Sequence, residues 1–273
     1  MHPILFHLGP LPVRSYGVLI LIGFLVALRY VLLAASRRPG REGLDGVAPA
    51  PGNGVISADH VLDMALVGLV IGIIGTRVLF VALHWSLFRD NPLDALKVWT
   101  GGLSFVGGPI FGFAYVSWYC RRHGLPFRAV TDLASPGFAL AYAFGRVGCF
   151  LNGCCYGHAC SLPWAVRFQA DGSPDVLTSP SHPTQLYAAA ISLTIFVVLH
   201  RLLKRPHRDG SVTIAYFALY AAYRFINDFF RAGATSRVIL GSLTDGQVAA
   251  LVAAPILLLI WVRLSGSPAR RAT

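Results

Sequence analysis

Charged residues are scarce in this sequence. Only 13% of its 273 residues are Asp, Glu, Lys or Arg, while 55% are hydrophobic and the mean hydropathy is +0.61. A soluble domain carries about 25% charged residues, so this composition argues against a soluble globular protein. The sequence also lacks convincing internal repeats, and no small-residue cleavage site follows its first apolar run. We therefore expect that run to remain as a membrane span.

Acidic residues are fewer than basic ones, which gives a formal net charge of +11. Such an excess can indicate a nucleic-acid-binding protein. Here, however, the basic residues flank the apolar runs, where they determine the orientation of a membrane protein. We expect no nucleic-acid partner and take the lipid bilayer as the surroundings of the chain.

Long apolar runs, by contrast, recur along the whole chain, near the ~20 residues that cross a bilayer. They predict an all-α polytopic membrane protein, with residues 1–273 forming a single integral membrane domain. The Gly- and Pro-rich connection 36–60 is predicted to be a flexible cytoplasmic loop, and 151–184 an outer-face segment. About seven transmembrane helices are predicted, over residues 16–35, 61–83, 103–120, 130–150, 185–203, 212–230 and 246–264.

The distribution of Lys and Arg predicts the orientation of these spans. Most basic residues outside the spans follow the first, third, fifth and seventh of them. Because cytoplasmic connections carry the excess of Lys and Arg, we expect the N-terminus outside and the C-terminus in the cytoplasm. The end of the fourth span then faces outward.

Four arginines fall within predicted spans, where an ionisable side chain is costly and is usually paired or functional. Two of them, Arg146 and Arg224, could clamp a phosphate bidentately. Arg224 could instead pair with Asp228, which lies on the same helical face. Arg77 is expected either in a structural ion pair or in contact with a substrate, and Arg29 is expected to extend towards the interface.

Glycines are concentrated in two spans. The segment TGGLSFVGGPIFGF holds five glycines at the start of the third span. Its backbone could come close to a ligand, or its glycines could allow tight helix packing. The segment GLVIGIIG of the second span favours packing alone.

Cysteines are concentrated around the predicted outer end of the fourth span, at Cys149, Cys154, Cys155 and Cys160. Their C-x4-C-C-x4-C spacing does not match common zinc patterns, and we expect no metal and no cofactor. An oxidising compartment favours a disulfide, in which Cys154 or Cys155 would pair with Cys149 or Cys160 rather than with each other. Small-residue packing and a catalytic thiol are the alternatives.

Several separated motifs then occur in a recognisable order. The segment GRVGCFLNGCCYG, together with GGLSFVGG, HPTQLY and YRFINDFFR, resembles the signature of prolipoprotein diacylglyceryl transferases. The segments RSYGVLILIGFLVA and GTRVLFV also resemble that family. The resemblance extends from about residue 9 to 264 and implies seven spans with an outside N-terminus.

The resemblance implies a thioether synthesis at the outer leaflet of the bacterial inner membrane. Phosphatidylglycerol donates diacylglycerol to the lipobox cysteine of a prelipoprotein, whose signal peptide is also a partner, and glycerol 1-phosphate leaves. By the same resemblance, Arg146 and Arg224 match essential arginines. Positions expected to bind substrate are Tyr16, Arg77, Asn152, Gly157 and Tyr220.

The sequence departs from the family pattern at three positions. Val106 stands where the family commonly has His, Cys149 where it has Asn, and Cys154 where it has Glu. The candidates for the missing base are therefore Cys154 and His182, with His158 a third by position alone. These departures leave two alternatives to the transferase: a relative that uses another acceptor or its own thiols, and a non-catalytic phospholipid-binding membrane protein.

Overall fold

The computed structural model describes residues 3–9, 11–36, 55–89, 91–97, 101–102, 104, 106–170, 173–232 and 238–266. Within these ranges the chain is mostly helical, and each predicted span corresponds to one helix. The helices are α1 (Ser15–Ser36), α2 (Ala58–Leu83), α3 (Gly107–Arg122), α4 (Phe127–Asn152), α5 (Thr184–Leu203), α6 (Ser211–Asn227) and α7 (Asp245–Gly266).

In the described part of the chain, three antiparallel two-stranded hairpins lie outside the helices. Strand β1 (Ile4–Leu8) pairs with β2 (Leu11–Arg14), β3 (Gln169–Ala170) with β4 (Ser173–Leu177), and β5 (Val238–Leu240) with β6 (Leu243–Thr244).

Four of the helices, α1, α2, α5 and α7, are long and apolar enough to cross a membrane. The prediction of a mostly helical membrane protein is therefore confirmed. Helices α3 and α6 have only 16 and 17 residues, and α4 is long but more polar. The loop predicted at 36–60 ends earlier than expected, at Ser57, because α2 begins at Ala58. Residues 37–54 of that loop lie outside the described residues.

The chain divides into two compact units, 1–30 with 131–273, and 31–130. The first unit has its core between α4, α5 and α6. Its buried members are small or apolar side chains apart from one tyrosine. They are Ala139, Ala188, Ile195, Leu199, Val212 and Tyr223.

A buried carboxylate on α4 fixes the start of α6 in this unit. Asp132 accepts hydrogen bonds from the backbone N–H groups of Gly210 (2.7 Å) and Thr213 (2.8 Å). Gly210 has the left-handed φ of 101° that glycine adopts readily. An acceptor at a helix N-terminus satisfies donors that otherwise have no partner. This contact places α6, and with it Arg224, relative to α4.

The second unit is built on the close packing of α2 against α3. A Cβ added at Gly75 would lie 2.5 Å from the Phe111 side chain, and one at Gly107 would lie 2.2 Å from the Gly75 carbonyl oxygen. At these two positions the glycines serve tight helix packing, the reading expected for GLVIGIIG and one of the two considered for GGLSFVGG.

The connection between α4 and α5 is folded rather than extended. Phe168 is fully buried there, stacked on Tyr156 at 4.9 Å between ring centroids and edge-on to Phe150 at 6.0 Å. Backbone bridges join Val166 to Ser181 and Gly157 to Arg231. The segment therefore ties the end of α4 to the start of α5 and to the chain that follows α6.

Candidate active site

Arg146 lies on α4 and faces a cluster of tyrosines. One of its terminal nitrogens, Nη2, donates to the Tyr142 hydroxyl at 2.5 Å, and its guanidinium carbon lies 4.8 Å from that ring's centroid. The Tyr142 hydroxyl in turn lies 3.4 Å from that of Tyr223, which accepts from Asn227 at 3.5 Å. No ion pair involves Arg146 within the described residues, so hydroxyls and a ring face stabilise its charge without neutralising it.

Arg224 lies on α6 and is ion-paired. Its Nη1 is 2.7 Å from Oδ1 of Asp228, whose side chain is completely buried, and its Nη2 is 3.9 Å from Oδ1 of the half-exposed Asp245. The pair considered at the sequence level between Arg224 and Asp228 is therefore present. The second oxygen of Asp228 accepts from the Thr244 hydroxyl at 2.7 Å.

The start of α7 closes over this ion pair. Thr244 and Gln247 cap the helix reciprocally, because each side chain bonds to the backbone N–H of the other. A Cβ added at Gly246 would lie 2.2 Å from Oδ2 of Asp228 and 2.6 Å from Nε of Arg224. Only glycine at this position lets the helix start approach the pair so closely.

Arg231 is a third guanidinium in the same place. It is 4% exposed, and its Nε lies 3.9 Å from Oδ1 of Asp228. Burial, and then the positive charges of Arg224 and Arg146, lower the pKa of Arg231. Arg231 therefore lies within electrostatic range of both Arg224 and Arg146. Excess positive charge in a confined space is what binds an anion.

Sequence reasoning treated Arg231 only as a charge in an outer connection. The usable signal was its spacing, since positions 224, 228 and 231 follow the i, i+4, i+7 pattern of one helical face. The predicted sixth span stops at residue 230, one position before Arg231, and α6 itself ends at Asn227. Arg231 instead reaches Asp228 from the turn beyond the helix.

Cys149, Cys154 and Cys155 meet beside these arginines. Their sulfur atoms all lie within 4.8 Å of one another, and Cys160 is not part of the group. All five cysteines of the chain are free thiols, so the predicted disulfide is absent. Hydrogen bonds from the Cys149 and Cys154 thiols, aided by the charges of Arg146 and Arg231, lower the pKa of Cys155. The candidate thiol Cys154 thus lies in a group of three.

Two predicted substrate-binding residues border this group. The ring of Tyr16, at the start of α1, lies against Gly148, where an added Cβ would be 3.2 Å from Cδ2 of the tyrosine. Asn152 is the last residue of α4, two positions before Cys154. A third, Tyr220, packs edge-on against Tyr142 at 5.6 Å and so belongs to the tyrosine cluster near Arg146.

Gly157, two positions after Cys155, lies against His182. A Cβ at Gly157 would be 2.2 Å from the Phe230 carbonyl oxygen and 2.8 Å from Cβ of His182. Nδ1 of His182 lies 3.3 Å from the Tyr187 hydroxyl, and its ring is 5.3 Å from that of Phe230. These contacts give His182 a place next to Gly157, but they do not include Arg146 or Arg224. Its role as a base stays a prediction.

Arg77 belongs to the second unit and is surrounded by backbone carbonyls. Its guanidinium donates to the carbonyl oxygens of Ala95 (2.8 Å), Asp94 (2.7 Å), Gly101 (2.6 Å) and Gly102 (2.9 Å). It forms one wall of a cavity of about 410 Å³. The geometry gives Arg77 a role in holding the backbone at Asp94, Ala95, Gly101 and Gly102, and contact with a substrate stays a prediction.

Val106, the position of the missing histidine, precedes α3 in the second unit and is 58% exposed.

Comparisons with known proteins agree on one family. A family model described as prolipoprotein diacylglyceryl transferase matches residues 3–263. A relative from Vibrio atlanticus (strain LGP32) is 32% identical over 269 residues, 97% of this chain and 92% of its own. One from Vibrio cholerae serotype O1 (strain ATCC 39315) is 33% identical over 264 residues, 95% of this chain and 90% of its own. Both are named phosphatidylglycerol–prolipoprotein diacylglyceryl transferase.

Proposed function

Because the chain belongs to the prolipoprotein diacylglyceryl transferase family, we propose that it transfers diacylglycerol from phosphatidylglycerol to the lipobox cysteine of a prelipoprotein. The acceptor thiolate attacks the glyceryl carbon that carries the phosphate. A carbon–sulfur bond forms, the carbon–oxygen bond breaks, and its electron pair leaves on the phosphate oxygen of glycerol 1-phosphate. The phosphate gains a second negative charge as it departs.

The observation that carries this proposal is the convergence of Arg146, Arg224 and Arg231. Arg224 and Arg231 pair with two carboxylates, Asp228 and Asp245, of which only Asp228 is buried, whereas no ion pair involves Arg146 within the described residues. The surplus positive charge suits a phosphodiester with one negative charge. It suits the departing phosphate monoester with two even better. Preorganised donors that gain strength as charge develops lower the barrier of the chemical step.

We assign the individual residues to three parts of the substrates: the phosphate, the lipid and the acceptor peptide. Arg146 is free of carboxylates within the described residues and is our first candidate for the phosphate; Arg224, which Asp228 holds in place, is the second. Tyr16 and Tyr220 would border the glyceryl and acyl groups, since each has an apolar ring and a polar tip. Asn152 and Gly157 would shape the turn that the acceptor peptide approaches.

We further propose seven spans, an outside N-terminus, a cytoplasmic C-terminus and an active site facing the outer leaflet of the bacterial inner membrane. The positions of the basic residues support this arrangement. At 1.5 Å per residue, α3 and α6 span roughly 24–26 Å, near the ~30 Å of the hydrocarbon core. A membrane-impermeant thiol reagent should label Cys160 in intact cells, whereas a cysteine introduced at Arg205 should react only after lysis. The reverse pattern would contradict the orientation.

The direct test is a transfer assay with the full chain in detergent. Phosphatidylglycerol and a lipobox peptide are supplied, and mass spectrometry detects the diacylglyceryl thioether. We expect product with the wild type and a loss of about 10²–10³-fold with Arg146→Ala or Arg224→Ala, the usual effect of removing one group that stabilises developing charge. Arg224→Lys should recover little, because an ammonium cannot bind phosphate bidentately.

Arg29→Ala is the matched control, since Arg29 is an exposed arginine on α1 and should leave the rate unchanged. Undiminished product from Arg146→Ala would contradict the phosphate site. A folded wild type that binds phosphatidylglycerol but forms no thioether would favour the non-catalytic lipid-binding alternative. Product on another thiol, with none on the lipobox peptide, would favour a different acceptor.

A further inference from the structure

The three grouped thiols, Cys149, Cys154 and Cys155, form a set that the transfer reaction described above does not use. Their sulfur atoms lie within 4.8 Å of one another. In a tetrahedral zinc site with Zn–S bonds of about 2.3 Å, neighbouring sulfurs are about 3.8 Å apart. Closing the group around a metal ion therefore needs shifts of about an ångström or less per side chain.

The backbone around these thiols is already shaped to hold them. Gly153 and Cys155 both have left-handed conformations, with φ of 77° and 65°, and Cys155 is the one non-glycine residue with positive φ in the described part of the chain. A non-glycine residue in this conformation is strained and persists only where its surroundings impose it. The turn brings two adjacent cysteines and the end of α4 to one place, which explains why the linear spacing resembles no common zinc motif.

Helix α5 fixes this turn from the other side. Gln185 donates to the Cys154 carbonyl at 2.7 Å, and the Thr184 hydroxyl donates to the Cys155 carbonyl at 2.9 Å. Gln185 is 1% exposed, and within the described residues its Oε1 has no hydrogen-bond partner. The turn is thus held rigidly, as a preorganised site requires, and one buried acceptor beside it is unused.

The charges around the group favour an anionic complex. Thiolates are the form that binds Zn²⁺, and three of them with one Zn²⁺ carry a net charge of −1. Arg146 lies about one helical turn before Cys149 on α4, and the backbone of Arg231 is bridged to Gly157, two positions after Cys155, so two fixed positive charges lie close to the group. Three protein ligands also leave a fourth position open, as in catalytic zinc sites.

We propose that Cys149, Cys154 and Cys155 bind one Zn²⁺ whose fourth position takes the thiolate of the acceptor peptide. The inference rests on the proposed transferase function. Coordination removes the proton of the acceptor thiol to solvent. The sulfur then forms its bond to the glyceryl carbon, and the carbon–oxygen electron pair leaves on the phosphate. Zn²⁺ keeps its oxidation state, and the neutral thioether is a weaker ligand that departs.

This arrangement gives the acceptor a route to its thiolate that needs no imidazole. The charged side chain about one turn before Cys149 on α4 is the guanidinium of Arg146, which is no base at neutral pH. His182 contacts Tyr187 and Phe230 instead. A bound metal would deprotonate the acceptor while Arg146 holds the phosphate.

Metal stoichiometry tests the site without any measurement of activity. The full chain in detergent is stripped with a chelator under reducing conditions, incubated with Zn²⁺, separated from free metal, and analysed for zinc per chain. We expect one zinc per wild-type chain. Loss of a second-shell partner already weakens metal binding about 10–100-fold. Cys149→Ser, Cys154→Ser and Cys155→Ser should therefore each weaken it by about 100-fold or more.

Cys160→Ser is the matched control, since this thiol lies outside the group, and it should retain one zinc. Wild-type protein without zinc would overturn the site, and so would zinc retained in all three group variants. A disulfide between two of the three cysteines in freshly isolated protein would overturn it as well. Because the wild type is itself measured, a variant that fails to fold does not decide the result.

Substitution with Co²⁺ tests the fourth position. Addition of a lipobox peptide should change the cobalt absorption towards that of four sulfur ligands, and a peptide with serine in place of its cysteine should not. An unchanged spectrum would overturn acceptor binding at the metal. Transfer by metal-free protein would overturn the zinc role while leaving the transferase intact, whereas zinc binding without any product would refute the transferase and keep the metal site.

Discussion

The ion pair between Arg224 and Asp228 can be tested against a second pair in the same chain. The buried pair has a separation of 2.7 Å and a fully buried carboxylate, whereas Lys97 and Asp94 are 2.6 Å apart with both side chains more than 40% exposed. The two pairs thus have nearly the same length and differ in burial. Replacing each aspartate by asparagine changes charge at constant shape.

The expected costs differ because of solvent. At an effective dielectric constant of about 20, two unit charges 2.7 Å apart attract by about 6 kcal/mol, and removing one partner of a buried pair costs about 3–5 kcal/mol. Asp228→Asn should therefore lower the free energy of unfolding by about that amount, since Arg224 and Arg231 then face each other without their shared carboxylate. Asp94→Asn should cost about 0–1 kcal/mol, because exposed pairs are screened.

Denaturant-induced unfolding in mixed micelles, followed by near-ultraviolet circular dichroism, measures both variants. Asp228→Asn should also slow transfer, because Arg224 loses the group that orients it. Equal losses of stability in Asp228→Asn and Asp94→Asn would refute the argument, as would an unchanged transfer rate in a destabilised Asp228→Asn protein.

Three further variants test single features of the structure. Gly157→Ala should lower the free energy of unfolding by about 1–3 kcal/mol through overpacking and should reduce transfer. Gly112→Ala should change neither, because nothing lies within 4 Å of its added Cβ. Equal behaviour of the two variants in melting and transfer assays would contradict this expectation. Val106→His should maintain or raise the transfer rate, since an exposed imidazole can act as a base, and loss of a robust native activity would show that the site relies on another group. Arg77→Lys should lower the melting temperature, because each lost hydrogen bond of a charged group costs about 1.5–3 kcal/mol. Arg29→Lys is its control. Equal melting temperatures of the two variants would contradict a stabilising role for the hydrogen bonds from Arg77 to backbone carbonyls.

The helices of this protein could be predicted from the sequence because apolar runs of membrane-spanning length are a local property. Each predicted span coincides with a helix to within a few residues at most of its ends. Four of these helices are long and apolar enough to cross a membrane. Arg146 and Arg224 could be selected by the same reasoning, since a charge inside an apolar run is costly wherever the chain folds. The motif order then indicated the family.

The grouping of side chains from different elements was decided only by the tertiary structure. Arg231 joins Arg224 through a turn beyond α6, and Thr244 reaches Asp228 from the cap of α7. The three thiols converge because Cys155 adopts a left-handed conformation, while Thr184 and Gln185 hold the carbonyls of the turn. Periodicity describes one helix at a time, whereas these distances depend on how separate segments pack, which no local pattern encodes.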